Sequence, residues 1–281
     1  MPFVDDTKRE ERRLRESPML HPPNILTLAG SDSGGGAGIQ ADLKTIAALG
    51  GYGMSVITAL TAQNGIGVTG IHDPGAEFVA RQLTTVLDGF PVAAAKSGML
   101  FSARTIECVA ELLRKRSFPL VVDPVSVSRS GAQLLREDAV DALRTHMLPL
   151  ADLLTPNRPE AVMLSGMAVD DADGIVAAGK RILDMGPKAV LIKGGHFESP
   201  ITVTDWLFVP GEEPVPLRHA RVESVNTHGT GCTLSAAIAT GLGHGLPLRV
   251  AVTNAQAYLN LALRRSYNPG KGVGPLNHMA K

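Results

Sequence analysis

The sequence predicts an α/β domain of three layers, a central and mainly parallel sheet with helices on both faces. Three observations predict it. Short apolar runs alternate with amphipathic helical stretches along most of the 281 residues, the pattern of repeated strand–helix units. The apolar runs are near-continuous rather than alternating, as expected of strands buried on both faces. Several runs end in Gly-rich or polar segments, the place where open α/β sheets bind ligands.

The elements follow in order. Residues 24–30 (NILTLAG) form an apolar run that reads as a first buried strand. A Gly-rich loop leads into a helix over 39–49, and 54–60 (MSVITAL) is a second strand. Phe78, Val79, Leu83, Val86 and Leu87 recur at helical spacing within 76–87. A strand over 91–96 and a helix over 103–115 follow. Residues 120–125 form an apolar strand that Pro124 stops. Next come a helix over 137–147, a strand over 152–156, a helix over 171–185 and a strand over 189–195. The pattern breaks at 202–209 and 215–222, which flank Gly211-Glu212-Glu213-Pro214 and read as a β-hairpin at the sheet edge. Two helices, near 231–241 and 248–265, complete the chain. No repeat or linker divides 24–281, which reads as one domain. Residues 1–23 read as a flexible charged extension, since the first 16 hold five basic and five acidic side chains and no apolar segment.

Composition narrows the function. Lys and Arg number 27 against 27 Asp and Glu, and aromatics are 4%. A neutral chain poor in aromatics argues against nucleic-acid partners and anionic membranes. No apolar run reaches the roughly 18 residues that cross a bilayer. Two cysteines, Cys108 and Cys232, make no disulfide framework and fit a cytoplasmic protein.

Five strand ends carry candidate chemistry. The loop from Gly30 to Gly38 lets backbone approach a ligand. It is no dinucleotide fingerprint, because the sixth position counted from Gly34 is Ile39, and no Gly-Lys-Ser/Thr follows to make a P-loop. Asp42, one turn into the next helix, is either a ligand contact or a carboxylate favoured by the helix dipole. Gln63 offers a donor and an acceptor on one plane, which suits a heterocycle edge; Asn64-Gly65 reads equally well as a turn. Asp123 ends an apolar strand. Asn157 and Glu160 have capping-box spacing, or else Glu160 joins Asp123 near Mg²⁺, a hard cation that takes few carboxylates. Lys193, followed by two glycines, suits a polyphosphate. The sharpest feature is Asn226-Thr227-His228-Gly229-Thr230-Gly231-Cys232, a Gly-rich turn opening into a helix. Its free amides and the helix dipole make an anion site, and a thiol at a helix start is expected to ionise readily. His228 taken alone reads as structural. Together these are the parts of a phosphotransferase.

The motifs resemble one family. Ala29–Asp32 with Gly35–Thr45, Thr58–Asn64, Lys96–Leu100 and Asp123–Val125 are similar to those of hydroxymethylpyrimidine/phosphomethylpyrimidine kinases of thiamine biosynthesis. So are Thr155–Asn157, Lys193–His196, Asn226–Cys232 and Gly272–His278, so the resemblance spans about 24–278 in unbroken order. It implies a ribokinase-like α/β/α fold, a homodimer, ATP and Mg²⁺. It also implies two phosphorylations, of 4-amino-5-hydroxymethyl-2-methylpyrimidine and then of its monophosphate. Carried over by position, Ala37, Asp42, Gln63, Met99, Val125 and Cys232 line the ring pocket. Gly229, Thr230, Gly231 and Cys232 form the anion hole, with Cys232 where most superfamily members have an Asp base. Asp123 and Glu160 hold the metal, and Asn157, Lys193 and Thr227 hold ATP. The chain departs from the family at Ser126-Val127-Ser128-Arg129 and at Arg158. Two alternatives stand beside this one: a pyridoxal kinase of the same superfamily, and a non-catalytic vitamin- or nucleotide-binding protein.

Overall fold

The computed structural model describes residues 21–126, 135, 138–194 and 201–280. Nine strands form one sheet: β1 (Asn24–Asp32), β2 (Tyr52–Gln63), β3 (Val68–His72), β4 (Ala94–Ser97), β5 (Leu120–Val122), β6 (Leu153–Leu154), β7 (Val190–Ile192), β8 (Thr202–Phe208) and β9 (Val215–Ala220). The spatial order is β3-β2-β1-β4-β5-β6-β7-β8-β9. The six strands from β2 to β7 in that order run parallel. β3 pairs antiparallel at one edge, and the β8–β9 hairpin is antiparallel at the other.

Side-chain alternation along the strands builds two cores. Leu26, Leu28, Leu120, Val122, Leu154, Val190 and Ile192 face one way. They pack on α2 (Ala76–Gly89), α3 (Ala103–Leu113), α4 (Ala139–Ala142), α5 (Arg158–Ser165) and α6 (Ala172–Leu183). Ile25, Val121, Leu153 and Leu191 face the other way, onto α1 (Gly38–Ala48), α7 (Thr230–Gly243) and α8 (Leu248–Arg264). Each fully buried Leu or Ile contributes about 1.5–3 kcal/mol. Both faces therefore need apolar residues, which is why the strands read as unbroken apolar runs.

The sequence expectations need correction at several places, among them the unexpected helix Arg158–Ser165. The second strand continues through Thr61 and Gln63, so that segment is strand rather than loop. Its partner β3 is short, with mostly exposed or half-buried residues, and gives no apolar run. The helix expected over 137–147 is present but changes type, running as α-helix over Ala139–Ala142, π-helix over Leu143–Met147 and a 3-10 turn over Leu148–Leu150. The strand expected over 152–156 is only Leu153–Leu154. The charged segment 1–20, Val127–Arg129, and Gly195 with His196 lie outside the described residues. No helix among the described residues is long and apolar enough to cross a membrane.

Candidate active site

The carboxyl ends of β1, β2, β4, β5, β6 and β7 open into one cleft of about 520 Å³. The first turn of α7 forms one wall. Gly229 sits just before α7 with φ +87°. A Cβ there would lie 1.9 Å from Gly36 O, so only glycine allows the turn to touch the β1–α1 loop. Thr233 N–H makes the helix's first bond, to Gly229 O at 2.9 Å. The amides of Gly231 and Cys232, inside the first turn, have no intrahelical acceptor. Thr227 Oγ1, at the same turn, is buried without a hydrogen-bond partner among the described residues.

Facing this turn is a charged cluster. Asp123, 1% exposed at the end of β5, accepts from Lys193 Nζ at 2.9 Å and from Thr155 Oγ1 at 3.2 Å. Lys193 Nζ lies 3.9 Å from Glu160 Oε2. Burial pulls the Lys193 pKa down, but Asp123 and Glu160 outweigh it and hold the pKa above its usual value. Burial pushes the Glu160 carboxyl up to about 7, and Asp123 adds to this, against the pull of Lys193. A Cβ on Gly231 would stand 3.4 Å from both Asp123 Oδ2 and Lys193 Nζ. The anion turn and the cluster therefore meet across one glycine. Two buried carboxylates sharing one lysine suit a divalent cation that takes few protein ligands and completes its shell from water and phosphate; among the described residues no cluster of three or more such ligands exists.

Identity is decided by this constellation together with its relatives. A family model described as phosphomethylpyrimidine kinase matches residues 32–277. The chain belongs to the phosphomethylpyrimidine kinase family. It is 47% identical over 262 residues to the hydroxymethylpyrimidine/phosphomethylpyrimidine kinase of Streptomyces coelicolor, covering 93% of this chain and 96% of that one. The crystal structure of phosphomethylpyrimidine kinase from Clostridium difficile is 41% identical, with TM-score 0.74, covering 84% of this chain and 97% of that one. An ADP complex of Bacillus subtilis pyridoxal kinase overlays with TM-score 0.85 at 35% identity, covering 92% and 98%. The fold is thus the ribokinase-like one. Backbone overlap is greater with the pyridoxal kinase, whereas identity is greater with the pyrimidine kinase.

Most of the residues expected of this kinase family line the one cleft: Ala37, Gln63, Met99, Asp123, Val125, Asn157, Glu160, Lys193, Thr227, Gly229, Thr230, Gly231 and Cys232. Asp42 does not. It is fully buried behind the wall, where both its oxygens accept from Lys96 Nζ (3.0 and 2.8 Å) and Oδ2 also accepts from Thr27 Oγ1 at 2.6 Å. The expected easy ionisation of Cys232 also fails. Burial pushes its thiol up to about 11, although Lys96 pulls it down. Desolvation here exceeds the helix-dipole effect that the sequence suggests. Asn157 and Glu160 do form a capping box, with Asn157 Oδ1 accepting from Glu160 N and Glu160 Oε2 from Asn157 N. The structural role and the cleft position coexist in the same two residues. Arg158 pairs with Asp170.

One organising residue escaped the sequence reading. Asp32 collects the loop that follows β1, accepting from Gly34, Gly36 and Ala37 amides at 2.8, 3.0 and 2.9 Å. His228 Nε2 stands 2.8 Å from Asp32 Oδ2. Burial would raise the Asp32 pKa, but His228 and the loop amides hold it below the usual carboxylate value. A Cβ on Gly36 would be 2.4 Å from the His228 ring. These glycines thus admit protein rather than ligand, and His228 clamps the first loop to the anion turn.

Proposed function

We propose that the protein is an ATP-dependent kinase. It phosphorylates the hydroxymethyl group of 4-amino-5-hydroxymethyl-2-methylpyrimidine, then the resulting monophosphate. The observation that carries this reading is the meeting of Gly231, Asp123 and Lys193 in one cleft that Gln63, Met99 and Ala37 also line. The ring rests against Ala37, Met99 and Val125, and the Gln63 amide meets its polar edge. Asn157, Thr227 and Lys193 hold the nucleotide phosphates. Asp123 and Glu160 would hold Mg²⁺, which would neutralise charge on those phosphates. The amides of the Gly229–Cys232 turn receive the charge of the transferring phosphoryl group. The substrate oxygen forms its bond to the γ-phosphorus as the bond to the ADP oxygen breaks, and the hydroxyl proton departs to solvent or to the thiolate fraction of Cys232, which grows as pH rises towards 11. A loose transition state makes positioning and electrostatics the main requirement. In the second step the acceptor is a phosphate oxygen, and no alcohol proton needs removal.

The direct test incubates the purified chain with ATP, Mg²⁺ and the pyrimidine alcohol while phosphorus NMR follows the products. A phosphate ester, then a diphosphate ester, is expected. The greater backbone overlap with pyridoxal kinase favours one rival, so pyridoxal is assayed in parallel. A higher kcat/KM on pyridoxal overturns the substrate assignment, and absence of ADP release with either alcohol points to a binding protein. A cytoplasmic homodimer completes the proposal: the cysteine usage and the family resemblance support it, and light scattering reads the mass.

A further inference from the structure

Behind Lys193 lies a buried polar network that the reaction described above does not use. Asp205, on β8, is 3% exposed. Its Oδ1 accepts from Gly194 N–H at 2.7 Å. Its Oδ2 accepts from Gln256 Nε2 on α8 at 2.7 Å and stands 3.3 Å from His219 Nε2 on β9. Asn260 is the next residue outward. Asn260 Nδ2 donates to Ala220 O and lies 3.1 Å from His219 Nδ1. The two ring nitrogens of His219 thus face Asn260 on one side and Asp205 on the other. An imidazole, an amide and a backbone N–H therefore surround the carboxylate.

A buried carboxylate in the middle of β8 is an expensive residue to keep. An apolar residue of similar size at Asp205 would leave no buried carboxylate to satisfy, and such replacements are often neutral or stabilising. What the carboxylate does instead is hold one peptide. Lys193 N–H donates to Pro156 O at 2.8 Å, and Gly194 N–H donates to Asp205. The two sequential amides are thus pinned to different neighbours. Gly194 is pressed against β8, where a Cβ would fall 1.9 Å from Thr204 O. The backbone that launches the Lys193 side chain toward Asp123 and Glu160 has no room to shift while Asp205 holds it.

We propose that Asp205 is a positioning residue that aims Lys193 at the nucleotide phosphates, with Gln256, His219 and Asn260 holding its carboxylate in place. The inference rests on the reading that Lys193 meets ATP. Steady-state kinetics on Asp205→Asn, Gln256→Met and Lys193→Ala separate the two. Asp205→Asn is expected to raise the ATP KM about tenfold, the effect of a sub-ångström misplacement, while the pyrimidine KM stays within about twofold. Gln256→Met, which loosens the carboxylate without touching the cleft, is expected to shift the same constant in the same direction by about threefold. It decides the matter should Asp205→Asn not fold. A general loss of structure would instead lower active fraction and thermal stability without separating the two KM values. An unchanged ATP KM in Lys193→Ala overturns the nucleotide reading itself. A raised ATP KM in Lys193→Ala, with both other variants leaving it unchanged or shifting both KM values alike, overturns the role of Asp205 alone.

Discussion

At the scale of single residues, the thiol of Cys232 shows how position and environment compete. A helix start favours a thiolate, yet burial holds this thiol up to about 11, with Lys96 opposing. At neutral pH it carries its proton. A base with that value gains working fraction as pH rises, so kcat for the first phosphorylation should climb from pH 7 towards 10. Cys232→Ala should lack that limb and lower kcat by about 10²-fold, the low end of general-base effects, with ATP KM nearly unchanged. A pH–rate profile on both proteins checks it; a parallel limb in the variant would remove Cys232 from proton transfer. The second phosphorylation, whose acceptor needs no such base, should lose less. The Asp42–Lys96 pair beside it was legible as two polar residues but not as a pair, because no local spacing links residues 54 positions apart.

At the scale of elements, the anion turn is built by two glycines with different tolerances. Gly229 has a left-handed φ and its Cβ would collide with Gly36 O at 1.9 Å, whereas a Cβ on Gly231 makes only ordinary contacts at 3.4 Å. Gly229→Ala should therefore distort the turn and remove most activity, with a loss of stability of about 1–3 kcal/mol. Gly231→Ala should fold normally, while Gly231→Val should place its methyl groups in the cleft and abolish ATP turnover. Thermal melts beside an ADP-release assay read both; equal behaviour of Gly229→Ala and Gly231→Ala would contradict the geometry. The turn was legible in the sequence because Gly-rich loops before helices have few other uses. So were the parallel strands, since apolar runs follow directly from two-sided burial. The edge strand β3 was not, because its side chains are mostly half-buried or exposed. Nor was Asp32, whose partners are amides of a loop that no periodicity marks.

At the scale of the whole molecule, the site is closed by the segment that follows α8. His228 N–H donates to Gly274 O at 3.1 Å, Val273 N–H to Gly65 O at 2.7 Å, and Tyr258 hydroxyl to His278 O at 2.9 Å. His278 is 4% exposed and its Nε2 lies 3.0 Å from Thr233 Oγ1, one turn into α7. A single tail segment thus braces the anion turn, the β2 end and the last helix. Burial, with a smaller push from Lys44, lowers the His278 pKa from 6.5 to about 4. The unfolded chain protonates this histidine near 6.5 and the folded chain only near 4. Below 6.5 the unfolded state therefore binds more protons, so stability is lost as the pH drops, the loss reaching about 3 kcal/mol near pH 4. His278→Gln cannot take up that proton. At pH 7.5 the variant should be the less stable, having traded an imidazole acceptor for an amide. The difference in urea unfolding free energy should narrow by about 3 kcal/mol between pH 7 and 4, because the wild type alone loses this term. A difference that stays constant over that range would mean that His278 is not held neutral against Thr233 and that the tail is braced by its backbone bonds alone.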